Sequence, residues 1–288
     1  MDYFVHRLFG YSVRVSNMET TGRYEEFDAS ERPKPVSAPK ARKHRGPVAR
    51  FAINVGQILL AVLVALIITA LIRVFIFQVF RVPSGSMEQT LETRDRIVSI
   101  RMADWQRGDI VVFEDTNGWL GEPQITQNPV LRGLEKVKLL PDSEKNYLVK
   151  RVIGTAGDKV KCCDVEGRLT VNGQPLDEES YLYQTESGVP VAPSETRFEV
   201  TVPQGHIFVM GDHRDRSGDS RLHMCSTVEG QPFGSAGFIP ESAVVGPVKA
   251  IVLPLNRIQG FERPATFDAV PAAQEAPQDP VLGPGTCR

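Results

Sequence analysis

Hydrophobic positions fall along this chain in two regimes. Residues 51–80, FAINVGQILLAVLVALIITALIRVFIFQVF, are apolar almost throughout, with Arg73 as the one charge and no ionisable residue from 58 to 72. About 20 helical residues cross a hydrocarbon core of about 30 Å, so the run predicts a transmembrane helix over 51–80. It is too long for a secretory signal peptide, begins too far into the chain, and no small-residue cleavage site follows it. Arg73 lies near the exit end, where its stem can snorkel to the headgroups. After residue 80 the pattern changes to short β-branched runs bounded by turn residues. These are 109–113 (DIVVF), 147–153 (YLVKRVI), 158–162 (DKVKC), 169–171, 197–202, 206–210 and 243–253, the last broken by Gly246 and Pro247. The run 169–171 ends on Asn172-Gly173, a strong hairpin signal.

The pattern therefore predicts a mainly β, antiparallel domain over 81–260 behind one N-terminal membrane helix. Helix is expected only in short pieces, over 129–140 and in the turn after Ser86. A long loop region is expected between residues 114 and 146; its apolar positions Val130, Leu131, Leu134, Val137, Leu139 and Leu140 are read as a packed loop in preference to a bilayer contact. Residues 1–50 show no sustained periodicity and end in a Pro/Lys/Arg-rich run, so they are read as a disordered basic segment. Residues 261–288 are read as a Pro-rich flexible tail. No internal repeats are visible. Translation could begin at Met1 or Met18.

Charge sets the direction of the helix. Lys40, Arg42, Lys43, Arg45 and Arg50 crowd its entry side, while mixed charge follows its exit. The positive-inside rule keeps residues 1–50 in the cytoplasm and exports the rest. A net charge of −2 over 288 residues argues against a nucleic-acid binder, and the basic cluster is better explained by the adjoining span. Roughly 180 residues remain for the exported domain, enough for one core. Export permits a disulfide among Cys162, Cys163, Cys225 and Cys287, with Cys162 or Cys163 to Cys225 as the first pairing to test; free thiols are equally compatible. The cysteine spacing fits no zinc site, and no metal or cofactor is expected.

Three segments carry candidate chemistry. Ser86 lies in Pro83-Ser84-Gly85-Ser86-Met87, six residues past the apolar run. At about 3.3 Å per residue it can sit no more than roughly 20 Å beyond Phe80, so its chemistry would take place at the membrane surface. A serine nucleophile needs a base. His213, in a polar run with Asp212 and Asp215, allows a Ser-His-Asp arrangement. Lys150 is the other candidate, since a strand over 147–153 places it on one face with Leu148 and Val152. Desolvation there would lower its pKa; spacing alone favours a surface lysine beside Arg151. The third segment, Gly211 to Arg221, alternates charges and suggests a salt-bridged loop with Asp219 and Arg221 as partners. A calcium loop fails there, because the twelfth position falls on His223 or Ser226 where a glutamate is needed.

Together these segments resemble the bacterial type I signal peptidases, membrane-anchored serine proteases with a Ser-Lys dyad. The matching motifs are Pro83 to Met87, Arg107-Gly108-Asp109-Ile110-Val111-Val112-Phe113, Lys150-Arg151-Val152-Ile153-Gly154 with Gly157-Asp158, and Gly211-Asp212 through Arg221, in the family's order. The resemblance runs from the anchor to about residue 255. It implies Ser86 as nucleophile and Lys150 as general base, with Ser84 and the Ser86 N–H as the oxyanion hole. It further implies Ser217 as the residue orienting the lysine, and Asp219 with Arg221 as a structural ion pair. The substrates implied are signal peptides of secretory precursors, bound as an added strand with small residues at −1 and −3. Membrane lipid is the implied surroundings, the location is the bacterial cell membrane, and a monomer is assumed. This chain departs from the family's usual pattern at Gln89 (often proline), His213 (often asparagine) and Gly218 (often alanine). Two other readings remain: a self-cleaving repressor-like Ser-Lys protease, and a non-catalytic membrane-tethered β-domain in which Ser86 and Lys150 would lie far apart.

Overall fold

The computed structural model describes residues 47–101, 103–136 and 140–287, with backbone alone for 47–53 and 70–75. The expectations for residues 1–46 lie outside the described residues. Helix α1 spans Pro47–Ile76, and its opening proline suits a first helical turn that has no intrahelical acceptor for its N–H groups. Its described side chains are those of residues 54–69 and Ile76, and among the described residues no helix is long and apolar enough to cross a membrane. The helix expected to reach residue 80 stops at Ile76. Strand β1 (Phe77–Arg81) takes over because Phe77-Gln78-Val79-Phe80-Arg81 buries alternate positions and pairs residue for residue with β2 (Arg96–Ile100).

The remaining strands are β3 (Ile110–Glu114), β4 (Tyr147–Gly154), β5 (Lys159–Cys162), β6 (Leu169–Val171), β7 (Gln174–Pro175), β8 (Phe198–Thr201), β9 (His206–Met210), β10 (Ile239–Pro240), β11 (Val244–Leu253), β12 (Gln259–Gly260) and β13 (Val281–Leu282). They form two antiparallel sheets. The larger runs β1-β2-β11-β3-β4-β9-β10, with β12 on β11; the smaller runs β13-β8-β5-β6-β7. Strand β11 survives Gly246-Pro247 by bulging, pairing with β3 over its first half and with β2 over its second. A side chain at Gly246, where φ is 155°, would collide with the Ile100 carbonyl. This handover joins the β1-β2 end of the large sheet to the β3-β4 part through one bulged strand. Ile153, Phe208 and Met210 of the large sheet pack with Val160, Leu169 and Val200 of the small one. A second cluster, with Val82, Met87, Leu91, Ile97 and Val149, lies under the turn that follows β1.

Three sequence expectations need correction. Residues 261–288 are not a loose tail: Phe267 and Val270 are buried, β13 adds to β8, and the backbone at Pro271 accepts from Arg107 and Asn172. Prolines fix φ and shrink the unfolded ensemble, so a Pro-rich segment can lie ordered along a surface when a few apolar anchors and backbone acceptors find partners. Cys225 bridges to Cys287, and Cys162 to Cys163, in place of a bridge between 162 or 163 and 225. The β13–β8 pairing brings Cys287 to Cys225, aided by Thr286, whose hydroxyl accepts from the Glu199 N–H and donates to the Glu199 carbonyl. In the 114–146 region, helix α2 (Pro129–Lys136) buries no residue, so Val130 and Leu131 are exposed and unpacked; Val137 and Leu139 lie outside the described residues.

Candidate active site

The turn bearing Ser86 is built by burial on either side of it. Val82, Met87 and Leu91 are fully buried, each worth roughly 1.5–3 kcal/mol of transfer free energy. Between them the chain makes a 3₁₀ turn, Gly85–Met87. The Ser86 hydroxyl is thereby aimed inward at β4, and Ser86 is only 5 % exposed.

Strand β4 is central, with β3 on one side and β9 on the other, and is buried on both faces from Leu148 onward. Lys150 sits opposite Val111 and is 3 % exposed. A lysine in such a strand has no route by which its stem could carry the amine to water, so the surface-lysine alternative does not hold. Its Nζ lies 2.5 Å from Ser86 Oγ, the only hydrogen-bond partner it has among the described residues. Burial lowers its pKa from 10.5 to about 8; Asp219 and Asp212 pull it back upward, and Arg221 opposes them. Ser84, which is exposed, donates from Oγ to Ser86 Oγ at 3.4 Å, a long bond. No histidine bonds the Ser86 hydroxyl among the described residues; His213 gives its Nδ1 to Glu88 and its backbone N–H to the Ser86 carbonyl.

Beneath the lysine, Asp219 caps helix α3 (Ser220–His223) by accepting from the Arg221 N–H. Its carboxylate also accepts from Arg221 Nε at 2.9 Å, Arg221 Nη2 at 2.8 Å and the Gly211 N–H at 3.0 Å. Burial alone would raise the Asp219 pKa; the Arg221 hydrogen bonds and charge outweigh it and hold the carboxyl below its usual value. Ser217 is brought to the site, yet its buried hydroxyl meets no partner at ordinary hydrogen-bond geometry among the described residues, although it adds to the pull on Asp219. It makes no bond to Lys150. Gly211 is required by close approach: any side chain there would collide with the Ser86 carbonyl and the Ser217 hydroxyl.

Sequence reasoning missed a buried network behind the site. Arg151 bonds Asp212 through two nitrogens, at 2.8 and 2.6 Å, reaches the Gly108 carbonyl at 2.7 Å and lies over the Tyr181 ring at 4.2 Å. Thr90 donates to Asp212 at 2.7 Å, linking the serine turn to the same carboxylate. Arg214 pairs with Glu178, which also accepts from the Tyr181 hydroxyl. The available signal was adjacency: Arg151 follows Lys150, so on a strand it must point to the opposite face, where a buried arginine requires a carboxylate. No group of acidic, histidine or cysteine side chains suited to a metal ion occurs among the described residues.

A family model described as "Signal peptidase, peptidase S26" matches residues 55–253. A Mycobacterium leprae protein described as "Probable signal peptidase I" is 36 % identical over 212 residues, covering 65 % of this chain and 72 % of its own. A signal peptidase I of Mycobacterium tuberculosis is 32 % identical over 250 residues, 80 % of this chain and 83 % of its own. The crystal structure of a signal peptidase I from Enterococcus faecalis aligns with 50 % of this chain and 97 % of its own at 21 % identity and a TM-score of 0.25, a superposition too loose to carry weight.

Proposed function

The chain belongs to the signal peptidase family, peptidase S26, and is a serine peptidase; from that premise we propose that Ser86 and Lys150 form its catalytic dyad and that it removes signal peptides from exported precursors. The neutral Lys150 amine takes the Ser86 proton as Oγ attacks the scissile carbonyl. The developing oxyanion accepts from the Ser84 hydroxyl and the Ser86 N–H, each donor worth about 3–4 kcal/mol in the transition state. The Lys150 ammonium returns its proton to the departing amine, leaving an acyl-enzyme. The same amine then deprotonates water, which releases the signal peptide from Ser86. Asp219 and Arg221 hold the floor of the site, and Ser217 is assigned to orient the amine, its hydroxyl, without a partner among the described residues, accepting from the ammonium.

The observation that carries this reading is the contact of 2.5 Å between a buried lysine amine, lowered to about 8, and a buried serine hydroxyl. The non-catalytic alternative requires those groups to be apart. The substrate segment is proposed to lie extended beside residues 82–84 and β4, with small side chains at −1 and −3. We further propose that α1 anchors the chain in the bacterial cell membrane with the β-domain outside, since the family's substrates emerge there.

The test uses the full chain in detergent with a precursor carrying alanine or tryptophan at −1. Cleavage of the alanine form alone, lost in Ser86→Ala and in Lys150→Ala, is the expected result. Full processing by Lys150→Ala would refute the dyad.

A further inference from the structure

We propose that Gln89 and His213 form a clamp that positions the serine turn, an inference resting on the peptidase reading above. Gln89 has φ 71°, a left-handed conformation that a residue with a side chain adopts at a cost and that persists only where surrounding bonds enforce it. Those bonds come from its own amide. Gln89 Nε2 donates to the Gln184 carbonyl at 2.8 Å, and the Gln184 N–H donates to Gln89 Oε1 at 2.7 Å. The side chain thus meets the main chain of residue 184 as a neighbouring strand would. Residue 184 is itself held in a closed loop, through the bridge between Gln184 and Pro190 and the bond from the Val191 N–H to the Tyr183 carbonyl.

His213 grips the same two segments from the other side. Its ring lies flat on Tyr183, with centroids 3.8 Å apart and planes within 8°. Its Nδ1 is 3.1 Å from Glu88 Oε2, and its backbone N–H donates to the Ser86 carbonyl at 3.1 Å. The Glu88 carboxylate, which Arg216 also contacts, rests against Gly85: a Cβ built on Gly85 would stand 3.1 Å from Glu88 Oε2. The peptide joining Gly85 to Ser86, whose N–H is an assigned oxyanion donor, is therefore bracketed by Glu88 on one side and by the His213 bond to Ser86 on the other. Gln89 and His213 both reach residues 183–184, so the two act as one device that braces the serine turn against a neighbouring loop.

The test measures kcat and KM of the full chain in detergent micelles on a fluorogenic peptide with alanine at −1 and −3. Gln89→Glu keeps size but loses the donor to Gln184, and His213→Phe keeps the stack but loses the bond to Glu88. Each should lower kcat about tenfold with KM within about twofold, since a displacement near 1 Å costs up to about a hundredfold. The double variant should lose less than the product of the two, because both act on one turn. Amide exchange reads the clamp without cleavage: either variant should speed exchange in residues 84–91 and 182–191 together by about tenfold, as expected for losing a hydrogen bond or two. Unchanged kcat, a loss confined to KM, or exchange that rises in one segment and not the other would overturn the clamp. A wild-type protein that cleaves no peptide counts against the peptidase reading, and the exchange result then decides the clamp alone.

Discussion

Replacing Lys150 with methionine should make the fold more stable at low pH and less stable at high pH. In the folded chain the amine has a pKa of about 8, against 10.5 when unfolded. At about 1.4 kcal/mol for each tenfold change in proton affinity, the native state bears about 3 kcal/mol of cost whenever the amine is charged in both states. That holds at pH 6. Between pH 8 and 10.5 the folded amine is neutral while the unfolded one still binds a proton, so wild-type stability rises with pH through that window. Above 10.5 neither state is charged and the cost is gone. Methionine removes the ionisation but leaves the Ser86 hydroxyl without its partner, which costs about 1 kcal/mol at every pH. Lys150→Met should therefore be about 2 kcal/mol more stable than wild type at pH 6, with the difference vanishing and then reversing by about pH 10.5. Urea unfolding of both proteins at pH 6, 8 and 10, in one detergent, measures this; taking the difference cancels other titrating groups. A variant less stable than wild type at pH 6, or a difference independent of pH, would refute the description of Lys150 as a desolvated amine.

Other consequences are open to simpler assays. Ser84→Ala should leave KM nearly unchanged and lower kcat about a hundredfold to a thousandfold, as for loss of one oxyanion donor. An unchanged kcat would remove Ser84 from the site. Cys225→Ser should release the C-terminal segment: the bridge closes a separation of 62 residues, so its loss should cost about 4 kcal/mol in the chain-entropy model, read by urea unfolding. Arg151→Met should cost about 3–5 kcal/mol, because it leaves the Asp212 carboxylate buried with one partner fewer, and Arg151→Met/Asp212→Leu should recover much of that. Failure of the second change to rescue would place the cost in packing and not in the charge.

What could be read from the chain depended on whether the signal was local. Strands β3, β4, β6 and β9 follow from β-branched runs between turn residues, and the Asn172-Gly173 turn lies where expected, with Asn172 at φ 52°. Strands β1, β2, β7, β10, β12 and β13 are not among the expected runs. Strands β7, β10, β12 and β13 are two residues each, too short to show a period; β1 is masked by its continuity with the apolar run, where pairing with β2 ends the helix, and β2 becomes a strand through its partners β1 and β11. The C-terminal strap was misread because composition stood in for contacts; Phe267, Val270 and Cys287 are ordered by partners more than sixty residues away or on another strand. Ser86 and Lys150 were read from separate motifs, but spacing gave no distance between them. That came from β4 being buried on both faces, which depends on β3, β9 and the second sheet, all distant in sequence. The Arg151–Asp212 network and the unbonded Ser217 hydroxyl are likewise products of tertiary packing.

The claim on which the account turns is that Lys150 works as a neutral amine. The measurement that reaches it most directly is the pH dependence of kcat/KM on a precursor or peptide with alanine at −1 and −3, from pH 5 to 10. Activity should climb tenfold per pH step below an inflection near 8 and level off above it, with Lys150→Ala inactive throughout. A profile that is flat, or one that Lys150→Ala shares, would contradict it.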